Sequence, residues 1–301
     1  STFSLSMKKT IPVDQPSAKV IAIALFLGFL WGGNSVALKT SLVDMPPFMV
    51  GGLRFSLAIL AIILWAVIYR IPIVPPKSER IPLLIMSLLF TIQIGLINIG
   101  THYTYASHTT IIININPLFT AGLAHFFFKG DELNLKKCLG LVVAFIGVII
   151  VFRANFSLGS DFLIGDLFVL GSAFVLGICN IYTKILIQNI NIYRLLIWQM
   201  AISLPIFFGL SFCFEGLDSY HFTPIALLAI VYQGLVVGGF CFVGWTLILK
   251  QHSPTKLTAF FFATPLFGVA LSYLILKEPI TINLAFGAIF VAYGIYLVNR
   301  A

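Results

Sequence analysis

Long apolar runs, separated by charges, prolines and turn residues, follow one another along nearly the whole chain. A helix needs about 20 apolar residues to cross the hydrocarbon core of a bilayer, so each run of this length predicts a transmembrane helix. Residues 141–152 are apolar at every position, whereas the strands of a membrane barrel alternate, so helices are predicted and not a barrel. The ten predicted spans are 18–41, 46–69, 81–101, 107–128, 135–153, 162–187, 192–214, 223–249, 255–276 and 280–299.

Composition supports this interpretation. The chain is 59% apolar and 9% charged, against roughly 45–50% and about 25% in soluble proteins. A soluble domain of 301 residues could not bury so much apolar surface in one core. The predicted fold class is therefore an all-α integral membrane protein with ten transmembrane helices.

The distribution of positive charge predicts the orientation. Ten spans place both termini on one side of the membrane. Of the 18 Lys and Arg residues, Lys39, Arg153 and Lys277 fall on the opposite side and Arg54 lies within a span, which leaves 14 on the side of the termini. Because Lys and Arg concentrate in cytoplasmic loops, both termini are predicted to be cytoplasmic in a plasma membrane, the inner membrane of a bacterium. The net charge of +8 comes from scattered residues and not from a solvated basic face, so no nucleic-acid partner is predicted.

A weak internal repeat relates the two halves of the chain at offsets of 145 to 148 residues. Because each half has five spans, an odd number, the second half enters the membrane from the opposite side; such inverted repeats recur in secondary transporters. The predicted units are 18–153 and 162–299, after an N-terminal cytoplasmic segment 1–17, of which residues 1–6 look like a remnant of cloning. The matched pairs are Asn34 with Asn180, Arg54 with Gln199, Pro117 with Pro265, Asp131 with Glu278, Gly140 with Gly287 and Gly147 with Gly294.

Short motifs stand in a fixed order along these repeats. They are the run 30–34 (LWGGN) on the first span, Arg54-Phe55 on the second, and Pro265, Glu278 and Gly287 near the end of the chain. In this order the chain resembles the EamA family of the drug/metabolite transporter superfamily over nearly its whole length. The resemblance implies a ten-helix transporter whose central cavity is lined mainly by spans 1, 3, 4, 6, 8 and 9. It also implies export of amino acids or other small metabolites.

Arg54 is the first candidate for binding chemistry, since it lies about eight residues, or roughly 12 Å, into the second span. A charged group at such depth usually faces the protein interior or a cavity. One interpretation is an anchor for a carboxylate or phosphate of the substrate. The other is a structural arginine that binds carbonyls at a neighbouring helix end, or that snorkels outward.

Other polar and aromatic residues within the spans extend the candidate site. Asn34 and Asn180 occupy equivalent depths, where they can contact substrate or hydrogen-bond between helices. Asn114 and Asn116 are about 200° apart on a continuous helix, so one is expected to line the cavity and the other to join helices. The predicted substrate-binding residues are Asn34, Arg54, Gln93, Asn98, His102, Tyr103, Asn114, Asn180, Gln233 and Trp245.

Four further positions are predicted to have structural or hinge roles. Pro117 and Pro265 each free a backbone carbonyl one turn earlier, and they kink their helices either beside a binding site or only for packing. Gly140 and Gly287 match one another in the repeat and are assigned to the same group.

Acidic residues are missing from the middle of every span, and Asp166, about one turn inside the sixth, comes closest. Proton-coupled carriers commonly use a buried carboxylate. Coupling would therefore rest on His102, His125 or Asp166, or be absent, and facilitated diffusion or exchange is the simpler prediction. Lys39 and Lys184 lie near helix ends, where snorkelling is expected.

No metal or cofactor is predicted, because the four cysteines form no CxxC pair and the five histidines have no ligand spacing. The predicted function is a secondary transporter, an exporter or facilitator, that moves a small metabolite such as an amino acid by alternating access through one site between the repeats. The alternatives are a channel-like facilitator and a membrane-embedded lipid-modifying enzyme. The expected partners are the small-molecule substrate and the lipid bilayer, with the chain as a monomer or homodimer.

Overall fold

The computed structural model describes residues 17–128, 133–155, 160–216, 220–252, 257 and 264–299. Of the predicted N-terminal segment only Ser17 falls in these ranges, and Asp131, the predicted repeat mate of Glu278, lies outside them. The helices are α1 (Ala18–Asp44), α2 (Pro47–Ile68), α3 (Arg80–Tyr103), α4 (Ala106–Phe127), α5 (Leu135–Asn155), α6 (Ser160–Leu186), α7 (Ile192–Phe214), α8 (Pro224–Gln251), α9 (Thr264–Leu276) and α10 (Ile282–Asn299).

These helices coincide with the ten predicted spans and confirm the all-α membrane fold in two five-helix repeats. Seven of them are both long and apolar enough to cross a membrane within the described ranges, and α5, α9 and α10 adjoin residues outside those ranges. Pro47 and Pro224 begin α2 and α8. The first residue of a helix donates no helical hydrogen bond, so the N–H that proline lacks is not needed there. The Asn191 side chain accepts a hydrogen bond from the Tyr193 N–H (3.0 Å) and caps the start of α7.

The helices of the two repeats pack with an approximate two-fold relationship. α2 packs on its repeat mate α7, and α5 packs on its mate α10. The contact of α3 with α6 is matched by the contact of α8 with α1. One buried apolar cluster joins α1, α2, α3, α6, α7 and α8, and a second joins α4, α5, α6, α9 and α10.

Two helices depart from regular α geometry next to the molecular centre. α4 consists of two segments, Ala106–Ile113 and Asn116–Phe127, with a turn between them. Pro117 lies at the start of the second segment. Because proline has no backbone N–H, it cannot continue the hydrogen bonding of the first segment. α8 contains a π-helical segment, Tyr232–Cys241, and such segments frequently occur at functional sites. Pro265 lies in the first turn of the described part of α9.

Glycines matched by the repeat allow α5 and α10 to cross closely. A Cβ atom on Gly287 would overlap with the Val151 Cγ2 atom and lie 2.9 Å from the Gly147 carbonyl oxygen. A Cβ atom on Gly294 would lie 2.6 Å from the Gly140 carbonyl oxygen. Small residues let helix backbones approach in membranes, and Gly140 and Gly287 both lie at the close crossing of α5 and α10.

Replacement of Gly287 by leucine should destabilise the protein by about 1–3 kcal/mol, because overpacking a closed interface forces side chains and backbone to shift. The thermal unfolding temperature of the purified protein measures the effect. Gly209→Leu on α7 is the matched control, since a Cβ atom there meets no atom within 4 Å. Equal losses in the two variants would contradict the close crossing of α5 and α10.

Lys39 and Lys184 do not snorkel, contrary to the expectation from sequence. Each ammonium group donates to three carbonyl oxygens at the C-terminal end of a helix, and Lys184 is 0% exposed. Helix C-termini have unpaired carbonyls and the negative end of the helix dipole, which a buried cation satisfies. The acceptors are Thr101, His102 and Thr104 for Lys39 (2.7–3.0 Å), and Leu249, Lys250 and His252 for Lys184 (2.7–3.1 Å).

These two contacts, here named the lysine clamps, are related by the repeat. Lys39 on α1 holds the end of α3, and Lys184 on α6 holds the end of α8. Because successive spans run in opposite directions, the two clamps lie at opposite ends of the molecule.

Candidate functional site

A cavity of about 180 Å³ lies at the centre of the molecule, between the two repeats. Four helices of the first repeat and four of the second line it. The family resemblance implied a cavity lined mainly by spans 1, 3, 4, 6, 8 and 9. In the structure α2 and α7 line it as well, through Arg54 and Gln199. Seven of the ten predicted substrate-binding residues line this cavity, and they are Asn34, Arg54, Gln93, Asn114, Asn180, Gln233 and Trp245.

Arg54 is the one charged residue among the described residues that line the cavity. It is only 4% exposed, so it does not snorkel. Its Nη1 donates to the Gln233 Oε1 (3.1 Å), its guanidinium carbon lies 4.7 Å from the centroid of the Phe55 ring, and its Nε has no hydrogen-bond partner within the described residues. A buried guanidinium with an unpaired N–H can bind an anionic group of a ligand by donating hydrogen bonds to it.

The Gln233 side chain is held in the orientation that Arg54 requires. Its Nε2 lies 3.1 Å from the Ala37 carbonyl oxygen, 3.1 Å from the Ser41 Oγ and 3.2 Å from the Ala229 carbonyl oxygen. With the nitrogen directed toward these acceptors on α1 and α8, the amide oxygen faces Arg54. Gln233 therefore positions the guanidinium without neutralising its charge.

The two repeat-related asparagines differ in their hydrogen bonding. The Asn180 Nδ2 donates to the Asn116 Oδ1 (3.2 Å) and to the Thr120 Oγ1 (3.3 Å), which ties α6 to α4. The Asn34 Oδ1 is buried and has no partner within the described residues. An acceptor left unpaired at a cavity wall is suited to a donor group of a ligand.

Both asparagines at the break of α4 line the cavity, where only one was expected to do so. Asn116 also joins helices, as was expected of the second asparagine, since its Oδ1 accepts from Asn180 of α6. The expectation of a single lining asparagine assumed a continuous helix, whereas a turn separates the two segments at this point. The Asn114 Nδ2 donates to the Thr110 carbonyl oxygen (2.7 Å), and the Asn116 Nδ2 donates to the Ile113 carbonyl oxygen (3.0 Å). These bonds satisfy carbonyls near the break and fix the two side chains beside Pro117.

An aromatic wall completes the cavity. Phe55 and Phe90 meet edge to face with ring centroids 4.8 Å apart, and Phe242 lies 6.0 Å from Phe90. Trp31 lies 6.0 Å from Trp245 in a similar arrangement. All five residues line the cavity, and their faces and edges offer apolar contact to the body of a ligand.

Three of the predicted substrate-binding residues lie away from the cavity. Asn98 is buried between α2 and α3, where its Nδ2 donates to the Pro47 carbonyl oxygen (2.9 Å). His102 and Tyr103 are exposed at the end of α3 with their rings 5.1 Å apart, and Tyr103 is 46% exposed. The last residue of α3 that lines the cavity is Ile97, and none of these three residues lines it.

Several lining residues were not in the predicted set. The repeat could have pointed to Gln199, since it is the mate of Arg54, and polarity at depth could have pointed to Asn116. The small hydroxyl and thiol residues carried no signal of their own in the sequence. They are Ser35, Cys179, Thr183, Thr246 and Thr264.

Ten helices in two inverted repeats, with a polar and aromatic cavity between the repeats, define a multi-pass membrane protein with the architecture of a transporter. The EamA-like transporter family matches residues 18–153 and again residues 163–300. The chain belongs to the EamA-like transporter family.

Similar proteins agree with this assignment. The chain is 28% identical over 280 residues to an uncharacterized transporter, YoaV, of Bacillus subtilis (strain 168), covering 92% of this chain and 94% of that protein. It is 25% identical over 290 residues to a probable amino-acid metabolite efflux pump of Escherichia coli (strain K12), with coverage of 93% and 95%. It is also 25% identical over 293 residues to a probable amino-acid metabolite efflux pump of Salmonella typhimurium (strain LT2), with coverage of 91% and 93%. These names indicate a transporter and not an enzyme.

A crystal structure of a protein with 16% sequence identity has the same fold, with a TM-score of 0.72 over 94% of this chain and 99% of that chain.

Proposed function

We propose that the protein is a secondary transporter that moves small carboxylate-bearing metabolites, such as amino acids, across the cytoplasmic membrane by alternating access. The observation that carries this proposal is Arg54, a buried cation in a cavity whose described lining has no Asp or Glu. A buried charge is costly without a partner, and a substrate carboxylate supplies one. The names of the Escherichia coli and Salmonella relatives support an amino-acid substrate and the direction of efflux.

The arrangement of the repeats supports alternating access. The cavity lies between two halves with matched helix contacts, so the halves can exchange packing roles and open the cavity to one side at a time. Both repeats of the chain contribute to the described lining, which supports a single chain as the transport unit in a monomer or a homodimer. The excess of Lys and Arg beside the termini supports cytoplasmic termini in a bacterial inner membrane.

Counterflow in liposomes tests the proposal. Purified protein is reconstituted, the vesicles are loaded with an unlabelled amino acid or organic acid, and uptake of the labelled compound is followed. We expect transient accumulation for carboxylates and none for cations that have no carboxylate, because Arg54 repels them. Vesicles without protein are the control, and no accumulation of any compound on a broad panel would contradict the proposal.

The same assay separates a carrier from a channel-like facilitator. A carrier exchanges one bound molecule for another, so unlabelled substrate inside the vesicle accelerates entry of the label. A channel equilibrates the label without this acceleration.

A further inference from the structure

Three glutamines line the cavity, and they differ in what their amide groups bind. The Gln93 Nε2 donates to the Ser172 Oγ (2.9 Å), and the Gln233 amide bonds to Arg54 and to α1. Gln199 of α7 is only 3% exposed, and its side chain makes no hydrogen bond within the described residues. Because buried polar side chains nearly always have a partner, an unpaired amide beside a cavity points to a ligand group.

The backbone around Gln199 is fixed by hydrogen bonds between α7 and α3. The Ser87 Oγ lies 3.2 Å from the Trp198 carbonyl oxygen, and the Thr91 Oγ1 donates to the Ser203 Oγ (2.7 Å). The Ser203 hydroxyl in turn donates to the Gln199 carbonyl oxygen, one helical turn earlier. A binding group is most effective on a rigid element, and these contacts hold the main chain of Gln199 while its amide remains available.

Gln199 is also the repeat mate of Arg54, at an offset of 145 residues. Arg54 is 4% exposed and Gln199 3%, and both line the cavity. Because α2 packs directly on α7, the two side chains enter the cavity from neighbouring helices that the repeat relates. One position of the repeat thus has a cation in the first half and a neutral amide in the second, which gives the site a charged pole at Arg54 and an uncharged pole at Gln199.

We infer that Gln199 is a specificity-determining residue, which binds an uncharged hydrogen-bonding group of the substrate while Arg54 binds its carboxylate. Because the carboxylate anchor belongs to the proposed function, this role of Gln199 rests on that function. The substrate class is a compound with one carboxylate and a second, uncharged polar group such as an amide or a hydroxyl. The glutamine amide both donates and accepts hydrogen bonds, so it matches either kind of group.

Two related classes of compound are expected to bind less tightly, for different reasons. A compound with an apolar far end leaves the Gln199 amide unpaired, and a buried polar group without a partner carries its full desolvation cost. A dicarboxylate places a second charge beside a neutral amide, and a buried charge without an opposite charge is costly. Each loss corresponds to about tenfold or more in affinity.

Thermal unfolding of the purified protein, titrated with amino acids of equal chain length, tests this specificity. L-glutamine, L-norvaline and L-glutamate differ only at the far end, which is an amide, a methyl group or a carboxylate. We expect L-glutamine to bind the native protein about tenfold or more tightly than either of the others. Glutaramate, pentanoate and glutarate form the same series without the amino group, and the expected order must appear in at least one series.

Substitution of Gln199 should change the order of affinities and not the fold. In Gln199→Leu the preference for the amide over the methyl end should disappear, and in Gln199→Arg the affinity for the dicarboxylate should rise about tenfold or more. Gln199→Leu should unfold near the native temperature without ligand, and Gln199→Met, with nearly the native length, replaces it if leucine packs poorly. Gln188→Leu and Gln188→Arg are the matched controls, because Gln188 is half-buried and lies outside the cavity lining, and they should keep the native order.

The possible outcomes separate the specificity of Gln199 from the proposed function. If Gln199→Leu keeps the native order, or if the amide and methyl ends bind the native protein equally in both series, the role of Gln199 is overturned and the transport proposal stands. If the order depends on Gln199 but no compound shows counterflow, the binding specificity stands and the transport proposal is overturned. If no compound of either series stabilises the native protein, the substrate class is overturned, and counterflow of another carboxylate then decides the proposed function.

Discussion

Replacement of Arg54 by alanine should weaken binding of a carboxylate substrate by about 10- to 100-fold while the helices remain folded. Hydrogen bonds to charged groups contribute about 1.5–3 kcal/mol, and each 1.4 kcal/mol is about tenfold in affinity. The fold should tolerate the change because Gln233 keeps its contacts to α1 and α8. Arg54→Lys should restore part of the affinity, since it keeps the charge but loses the planar fork of donors.

Ligand-induced thermal stabilisation of the purified protein measures this effect. A ligand at about 100 times its dissociation constant adds about 2.7 kcal/mol to the stability of the native state, and about half or more of that gain should vanish in Arg54→Ala. Arg80→Ala is the control, because Arg80 is exposed at the start of α3. An unchanged stabilisation by carboxylates in Arg54→Ala would show that the guanidinium is only structural.

The fold was predictable because the bilayer imposes one simple rule on the sequence. Every backbone group must be satisfied within its own segment in hydrocarbon, so each apolar run becomes a helix. The odd number of spans in each half then required an inverted repeat. The crossing of α5 and α10 follows less directly from the sequence, which matches Gly140 with Gly287 and Gly147 with Gly294. In the structure Gly287 meets Gly147 and Gly294 meets Gly140, so the contacts join one matched pair to the other.

The site was partly predictable because polar residues at membrane depth usually face a cavity. This reasoning pointed to Arg54, Gln93 and Gln233, and all three line the cavity. His102 and Tyr103 lie outside the cavity, because polar residues near a helix end can also face water or headgroups. The sequence does not show how far each helix extends beyond the cavity.

Local backbone geometry accounts for another failure. Asn116 was predicted to face away from Asn114 because successive residues of a continuous helix are about 100° apart. That rule does not apply across the break in α4. Pro117 predicted a disturbance of the helix, but a simple kink would have left the two asparagine side chains on opposite faces. Only the structure shows a turn that brings both amides to the cavity.

The lysine clamps could not be predicted, because their acceptors are backbone carbonyls, which every sequence has. Lys184 and Lys39 looked like ordinary residues near helix ends. Tertiary packing brings each one under the C-terminus of a helix two spans farther along the chain, about 65 residues away. The repeat relation between them gives a test of how much such a contact contributes.

Replacement of Lys184 by methionine should lower the free energy of unfolding by roughly 3–5 kcal/mol. Methionine has a similar length, but it leaves the carbonyl oxygens of Leu249, Lys250 and His252 without their charged donor, and each such bond contributes about 1.5–3 kcal/mol with incomplete additivity. Lys39→Met should cost less, because Lys39 is only half-buried and water can replace part of its contacts. Unfolding of the purified protein, followed by helical circular dichroism, measures both losses.

Lys250→Met is the matched control for this prediction. The Lys250 side chain is exposed, and only its backbone carbonyl takes part in the clamp, so the variant should unfold near the temperature of the native protein. Lys184→Arg keeps the charge but places a larger group in a closed space, and it should fall between the native protein and Lys184→Met. If Lys184→Met were as stable as Lys250→Met, the clamp would contribute nothing to the fold, and the end of α8 would be held by apolar packing alone.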